Sequence, residues 1–180
     1  YLVTTWVLSY GIAKKGVGLG IPYLDFLKLQ LISIFAFIVS IPVAGRLADS
    51  RGRKRTLIAV SAVMIAFGFT FSWLLRPDTA TEGTVLVFLT VGMFIMGLIF
   101  GPMSAVLPEL FPTNVRYTGS GISYNVASIL GAAIAPFVAT ALVKSYGVGA
   151  VGIYLIVVSV LSLIAILLMK ETKHFDMSDI

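Results

Sequence analysis

The stretch Gly45-Arg46-Leu47-Ala48-Asp49-Ser50-Arg51-Gly52-Arg53-Lys54-Arg55 separates two long apolar runs, Leu27 to Ala44 and Thr56 to Leu75. Five cations crowd into it against one acid, Asp49. Each flanking run approaches the roughly 20 residues that an α-helix needs to cross a hydrocarbon layer about 30 Å thick. A cationic connection between two such spans marks the cytoplasmic side, because Lys and Arg are retained there during insertion.

Working outward, three more apolar windows follow: Val85 to Ala105, Gly119 to Val143 and Ala150 to Met169. The chain is 58% hydrophobic and 12% charged, about half the charge of a soluble domain, which excludes a water-soluble core. The runs are continuous, whereas barrel strands alternate apolar with polar residues over about ten positions, so helices are expected. A sixth stretch, Tyr1 to Ile12, is apolar but too short to span. The chain does not open on Met and shows neither a basic leader region nor a cleavage site, so Tyr1 is read as a start inside a helix.

Fixing one connection fixes the others, since each span reverses side. The loop from Arg76 to Thr84 falls outside, the connection from Pro108 to Arg116 inside, the Lys144 turn outside, and the tail over 170–180, with Lys170 and Lys173, in the cytoplasm. By this assignment the cytoplasmic segments collect eight of the 13 Lys and Arg residues, and Lys28 sits at a membrane edge where its ammonium can reach water. The net charge of +5 is thereby read as orientation, not as a nucleic-acid footprint. Cysteine is absent, so disulfides, thiol catalysis and thiolate metal sites are excluded.

The order of residues in the basic connection says more than its charge. Gly45 permits close approach of a neighbouring helix, and Gly52 permits a left-handed turn between two spans joined with little slack. Asp49 contributes nothing to orientation; at a helix N-terminus it would cap free N–H groups and meet the positive end of the dipole.

Gly45 to Arg55 resembles the signature that follows the second and eighth helices of the major facilitator superfamily, G-x-L-[AG]-D-[RK]-x-G-R-[RK]-[RK], and departs from it at Ser50 and Arg51. A second connection, Pro108-Glu109-Leu110-Phe111-Pro112-Thr113-Asn114-Val115-Arg116 with Tyr117, Thr118 and Gly119 after it, is similar to the loop between the tenth and eleventh helices of the sugar-porter and metabolite:proton symporter branches. Tyr124 and Asn125 make the symporter branch the nearer match, and the ending Lys170, Glu171, Thr172 resembles the family's cytoplasmic exit. The resemblance covers essentially the whole chain. It implies an all-α integral membrane fold, residues 1–180 being the C-terminal six-helix half of a twelve-helix carrier with its first helix truncated, in a bacterial inner membrane.

Pro108 and Pro112 lack N–H groups and disfavour helix just before them, so the preceding span is expected to break there. Glu109 and Arg116 flank the turn. They could form an exposed pair contributing under about 1 kcal/mol; the resemblance implies instead a cytoplasmic gate in which Gly45, Asp49, Gly52, Arg53, Lys54, Arg55, Glu109 and Arg116 take part, the charges pairing in one conformation and parting in another.

No acid, base or histidine lies near the middle of a complete span. Neutral polar residues do line up at helical spacing: Gln30, Ser33, Phe37 and Ser40 on one span, Gly121, Tyr124, Asn125 and Ser128 on another, and Tyr1, Thr5 and Ser9 on the first stretch. Such stripes serve either as interhelical packing or as a solute path. The resemblance, in which the seventh, eighth, tenth and eleventh helices line the path and the ninth and twelfth buttress it, makes Tyr1, Thr5, Ser33, Phe37, Tyr124, Asn125 and Ser128 the substrate candidates. Gly97 and Gly101, followed by Pro102, read as close packing with a kink. Met93, Met96 and Met103 read as filler.

These expectations amount to a secondary active transporter working by alternating access, most nearly a proton-coupled symporter of a carboxylate or osmolyte. Its partners are then the lipid bilayer, a small solute, protons and an N-terminal six-helix half that carries the titrating groups; His174 is read as solvated. No metal or cofactor is expected, and no nucleic acid. A membrane enzyme would need a metal or acid/base constellation that this sequence does not offer. A sugar-porter-like facilitator and a non-transporting membrane subunit are the alternatives.

Overall fold

The computed structural model describes residues 1–169, and they form helices joined by short connections. A π-helical turn, Leu2–Trp6, runs into α1 (Val7–Ile12). Then come α2 (Tyr23–Arg51), α3 (Arg53–Gly68), a short continuation α4 (Phe71–Leu74), α5 (Glu82–Glu109) and α6 (Arg116–Ser128), which passes through a π segment, Ile129–Ile134, into α7 (Ala135–Tyr146). The last is α8 (Val148–Leu168). Five of these helical stretches are long and apolar enough to cross a membrane: Tyr23–Arg51, Arg53–Leu74, Glu82–Glu109, Arg116–Tyr146 and Val148–Leu168.

All five expected spans are present, and most run past their apolar windows because hydropathy marks the lipid-immersed part of a helix, not its ends. Two local expectations fail. Asp49 does not cap a helix N-terminus: it lies in the last turn of α2, exposed, and α3 begins after Gly52 without a side-chain cap. Pro108 does not break its helix either, since α5 continues to Glu109 with Pro102 and Pro108 inside it. The chain leaves the helix only ahead of Pro112.

Gly52 is the whole link between α2 and α3. Its φ of 100° lies where side chains are strained, and its N–H still closes onto the Ala48 carbonyl at 3.0 Å. At the other end of α5, Thr81 and Thr84 cap each other reciprocally, at 2.9 and 3.3 Å. The π segment stands just ahead of Pro136, whose missing N–H cannot continue the α-helical ladder.

Two helix pairs build the body. α2 lies against α5 so closely that a Cβ on Gly97 would collide with Ser40 Oγ and the Phe37 carbonyl, and one on Gly101 would come within 2.8 Å of the Ile41 carbonyl. α3 crosses α8 where Gly68 and Gly152 meet, each with no room for a side chain. Trp6, Tyr10, Phe67, Phe71 and Phe88 stack into one aromatic cluster, with centroids 4.8 to 6.5 Å apart. The Tyr10 hydroxyl donates to the buried Leu75 carbonyl at 3.1 Å, which ties α1 to the end of the bundle opposite the basic loop. Almost nothing of α6 is buried.

Candidate functional site

The end of the bundle that carries the basic connection is also where helices exchange polar contacts. Arg53, the first residue of α3, forms an ion pair with Glu109, the last residue of α5; their side chains are 21% and 7% exposed. The pair is largely screened from water, so removing one partner would leave the other charge buried and uncompensated, which is costly. Glu109 Oε2 is buried with no hydrogen-bond partner among the described residues. Arg116, at the start of α6, turns back to donate from Nε to the Phe111 carbonyl at 3.3 Å. Gly119 makes room for the Phe111 ring one turn later.

The other proposed gate residues are placed differently. Lys54 Nζ donates to the carbonyls of Leu167 and Met169 at 2.7 and 2.6 Å, which satisfies the open C-terminal end of α8. Arg55 and Asp49 are exposed, and neither has an ion pair among the described residues. Gly45 receives Gly101 against its backbone, but its own Cβ direction faces open space.

A cleft of about 370 Å³ opens between α5 and α6, walled by Phe100, Met103, Leu107, Tyr117, Ser120 and Tyr124 among others. It is mainly apolar and holds no charged side chain. Tyr117 is 93% exposed and Tyr124 52% exposed, so neither ring is packed into the core of the bundle. Asn125 is exposed beside them, its amide donating to the Gly121 carbonyl at 2.8 Å. Tyr1 and Thr5 are exposed as well, and Ser128 is half-buried.

The α2 stripe behaves otherwise. Ser33 and Ser40 are fully buried and donate to carbonyls of their own helix, Gln30 and Phe37, each at 2.8 Å. Gln30 reaches the Thr4 carbonyl at 3.2 Å, and Phe37 meets Phe100 edge to face with centroids 6.0 Å apart. In these residues the stripe packs α2 against its neighbours. Among the described residues there is no group of three or more His, Cys, Asp or Glu placed to hold a metal. Residues 170–180, with Lys170, Lys173 and His174, lie outside the described part.

Residues 1–178 match the family model described as Major Facilitator Superfamily. Over 175 residues the chain is 46% identical to Inner membrane metabolite transport protein YhjE of Escherichia coli (strain K12), covering 97% of this chain and 39% of that protein. It is 31% identical to the Ectoine/proline transporter ProP of Corynebacterium glutamicum, covering 97% of this chain and 34% of that one. It is 30% identical to the Citrate-proton symporter of Klebsiella pneumoniae, covering 82% and 32%. No solved structure gives a significant match. The chain thus spans about two fifths or less of the length of these relatives. All three are transport proteins, not enzymes. Five membrane-spanning helices, the basic α2–α3 link and a family match along nearly the whole sequence lead to one conclusion: the chain belongs to the Major Facilitator Superfamily.

Proposed function

We infer that the chain serves a secondary active carrier as its second six-helix half, rocking against a first half so that a site between them opens to one side at a time. The solute is a small metabolite, a carboxylate or an osmolyte, moved together with protons. The observation that carries this reading is the Arg53–Glu109 pair. It joins two helices at the end that holds the basic loop, and Glu109 Oε2, without a hydrogen-bond partner among the described residues, is free to accept from a further donor. A carboxylate with one oxygen held by Arg53 and the other without a partner can exchange partners when the helix ends shift as the halves approach and part.

The names of the relatives support the solute class, since ectoine and proline are osmolytes and citrate is a carboxylate. Solute contacts then fall on faces that the six helices leave exposed: Tyr1 and Thr5 on the first helix, and Tyr124 and Asn125 on α6. Ser33 is not among them, because its hydroxyl is buried and bonded within α2. The basic end faces the cytoplasm in this reading, and so does the tail over 170–180. The deciding experiment is uptake by proteoliposomes holding the intact carrier, with citrate, ectoine and proline offered with and without a proton gradient. Accumulation of one solute only when the gradient is present is expected; gradient-independent equilibration would indicate a facilitator.

A further inference from the structure

A second concave site lies at the basic end. A crevice of about 410 Å³ opens between the last turn of α2 and the first turns of α3, walled by Leu47, Ser50, Arg51, Arg55, Thr56 and Ala59. The Gly52 turn sets the two walls side by side, with Leu47 and Arg51 one turn apart on α2 and Arg55 and Ala59 one turn apart on α3. Arg53 and Lys54 turn inward to Glu109 and to the end of α8. Arg51 and Arg55 stay exposed, and neither has an ion pair or side-chain hydrogen bond among the described residues.

Below these two guanidiniums the surface changes character. Ala59, Ala62, Val63 and Ala66 are exposed along one face of α3, and Val43 is exposed one turn below Leu47 on α2. These small apolar side chains make an exposed apolar strip running from the cations toward the middle of the spans. A cationic crevice above an exposed apolar strip matches the two chemistries of a phospholipid; a free anion would have no use for the strip. A crevice of about 510 Å³ at the opposite end, between α3 and α8 at Phe69, Ser72 and Tyr146, has no charged side chain in its wall.

We propose that Arg51 and Arg55 form a headgroup site for an anionic phospholipid, with an acyl chain lying along Ala59, Ala62 and Ala66. Arginine's planar fork bonds phosphate oxygens two at a time, and cationic pockets between membrane helices suit anionic headgroups. Asp49 does not wall the crevice, and among the described residues no carboxylate lines it.

The test is native mass spectrometry of the intact carrier in detergent, titrated with phosphatidylglycerol and, separately, phosphatidylethanolamine. The wild type is expected to retain phosphatidylglycerol preferentially and to lose the preference at high salt, as partly exposed charges are screened. Arg51→Gln/Arg55→Gln should retain about thirtyfold less phosphatidylglycerol, the effect of two interfacial cations. Arg51→Lys/Arg55→Lys should fall between, and Arg76→Gln, at the other end, should match the wild type. Equal retention by the double Gln variant and the wild type would overturn the site. So would equal retention of the two lipids by the wild type, an arm that needs no variant to fold. Displacement of the lipid by millimolar inorganic phosphate would reduce the site to a phosphate contact and overturn the lipid assignment.

Discussion

Lys54 Nζ donates to the Leu167 carbonyl at 2.7 Å across 113 positions of sequence, so the first turn of α3 closes the last turn of α8. The ammonium meets the negative end of the α8 dipole and satisfies carbonyls that have no partner further along the helix. Lys54→Met keeps the aliphatic stem and removes the donors. It is expected to destabilise the purified protein by about 1 to 2 kcal/mol, read as a lower thermal midpoint in detergent, with Lys54→Arg recovering part of the loss. An unchanged midpoint in Lys54→Met would show that the contact adds nothing to stability.

The α2–α5 crossing makes a sharper demand on one glycine than on another. A Cβ on Gly97 meets Ser40 Oγ and the Phe37 carbonyl, whereas one on Gly45 meets nothing within 4 Å. Gly97→Ala should therefore cost about 1 to 3 kcal/mol, the usual range for overpacking. Adding Ser40→Ala should recover only part of it, because the Phe37 carbonyl is backbone and cannot turn away. Gly45→Ala should leave stability within about 0.5 kcal/mol of the wild type yet slow uptake, if that face meets the other half of the carrier. Normal uptake by Gly45→Ala would remove Gly45 from the gate.

Asn125 offers a separate test of the solute path. Its bond to Gly121 lies within one helix on an exposed face, so Asn125→Ala should change stability by less than about 0.5 kcal/mol. Loss of one solute hydrogen bond is worth about 1 kcal/mol, or roughly a fivefold rise in apparent dissociation constant. Solute binding measured by calorimetry on the intact carrier checks it. An unchanged affinity would leave Asn125 as a helix residue and no more.

The helices were legible because continuous apolar runs of span length admit little else in a bilayer. Their ends were not. Arg53 to Arg55 and Glu109 are helical yet charged, and hydropathy drops where the lipid stops, not where the backbone hydrogen bonds do. Periodicity found the shared face of Gln30, Ser33, Phe37 and Ser40 but not what that face meets. Buried packing and a wet path ask for the same small polar residues at the same spacing; the burial of Ser33 and Ser40 and the close approach of Gly97 to Ser40 separate them. Asp49 was misplaced because its position in the signature does not say which side of Gly52 the helix boundary falls. The Lys54 contact had no local signal at all, since its partners are backbone carbonyls of a distant helix.

The Arg53–Glu109 pair yields the prediction that bears most directly on mechanism. If it holds one conformation closed, breaking it should alter the balance of states as well as the stability. Arg53→Gln and Glu109→Gln each leave a partly buried charge without its partner, a loss of about 2 to 4 kcal/mol once the partial exposure of Arg53 is allowed for. The double variant should lose less than the sum of the two, with a coupling of about 1 to 3 kcal/mol. The same interaction, lost from one state only, shifts a two-state equilibrium tenfold for every 1.4 kcal/mol. This chain contains no cysteine, so in a carrier whose other half has also been freed of cysteine, one introduced at the exposed Ser104, in the wall of the α5–α6 cleft, can report the opening. Its rate of alkylation in the intact carrier should rise about tenfold or more in Glu109→Gln and fall back toward the wild-type rate in the double variant. Equal alkylation rates in all four proteins, with the expected loss of stability, would make the pair a structural tie between α3 and α5 and not a gate.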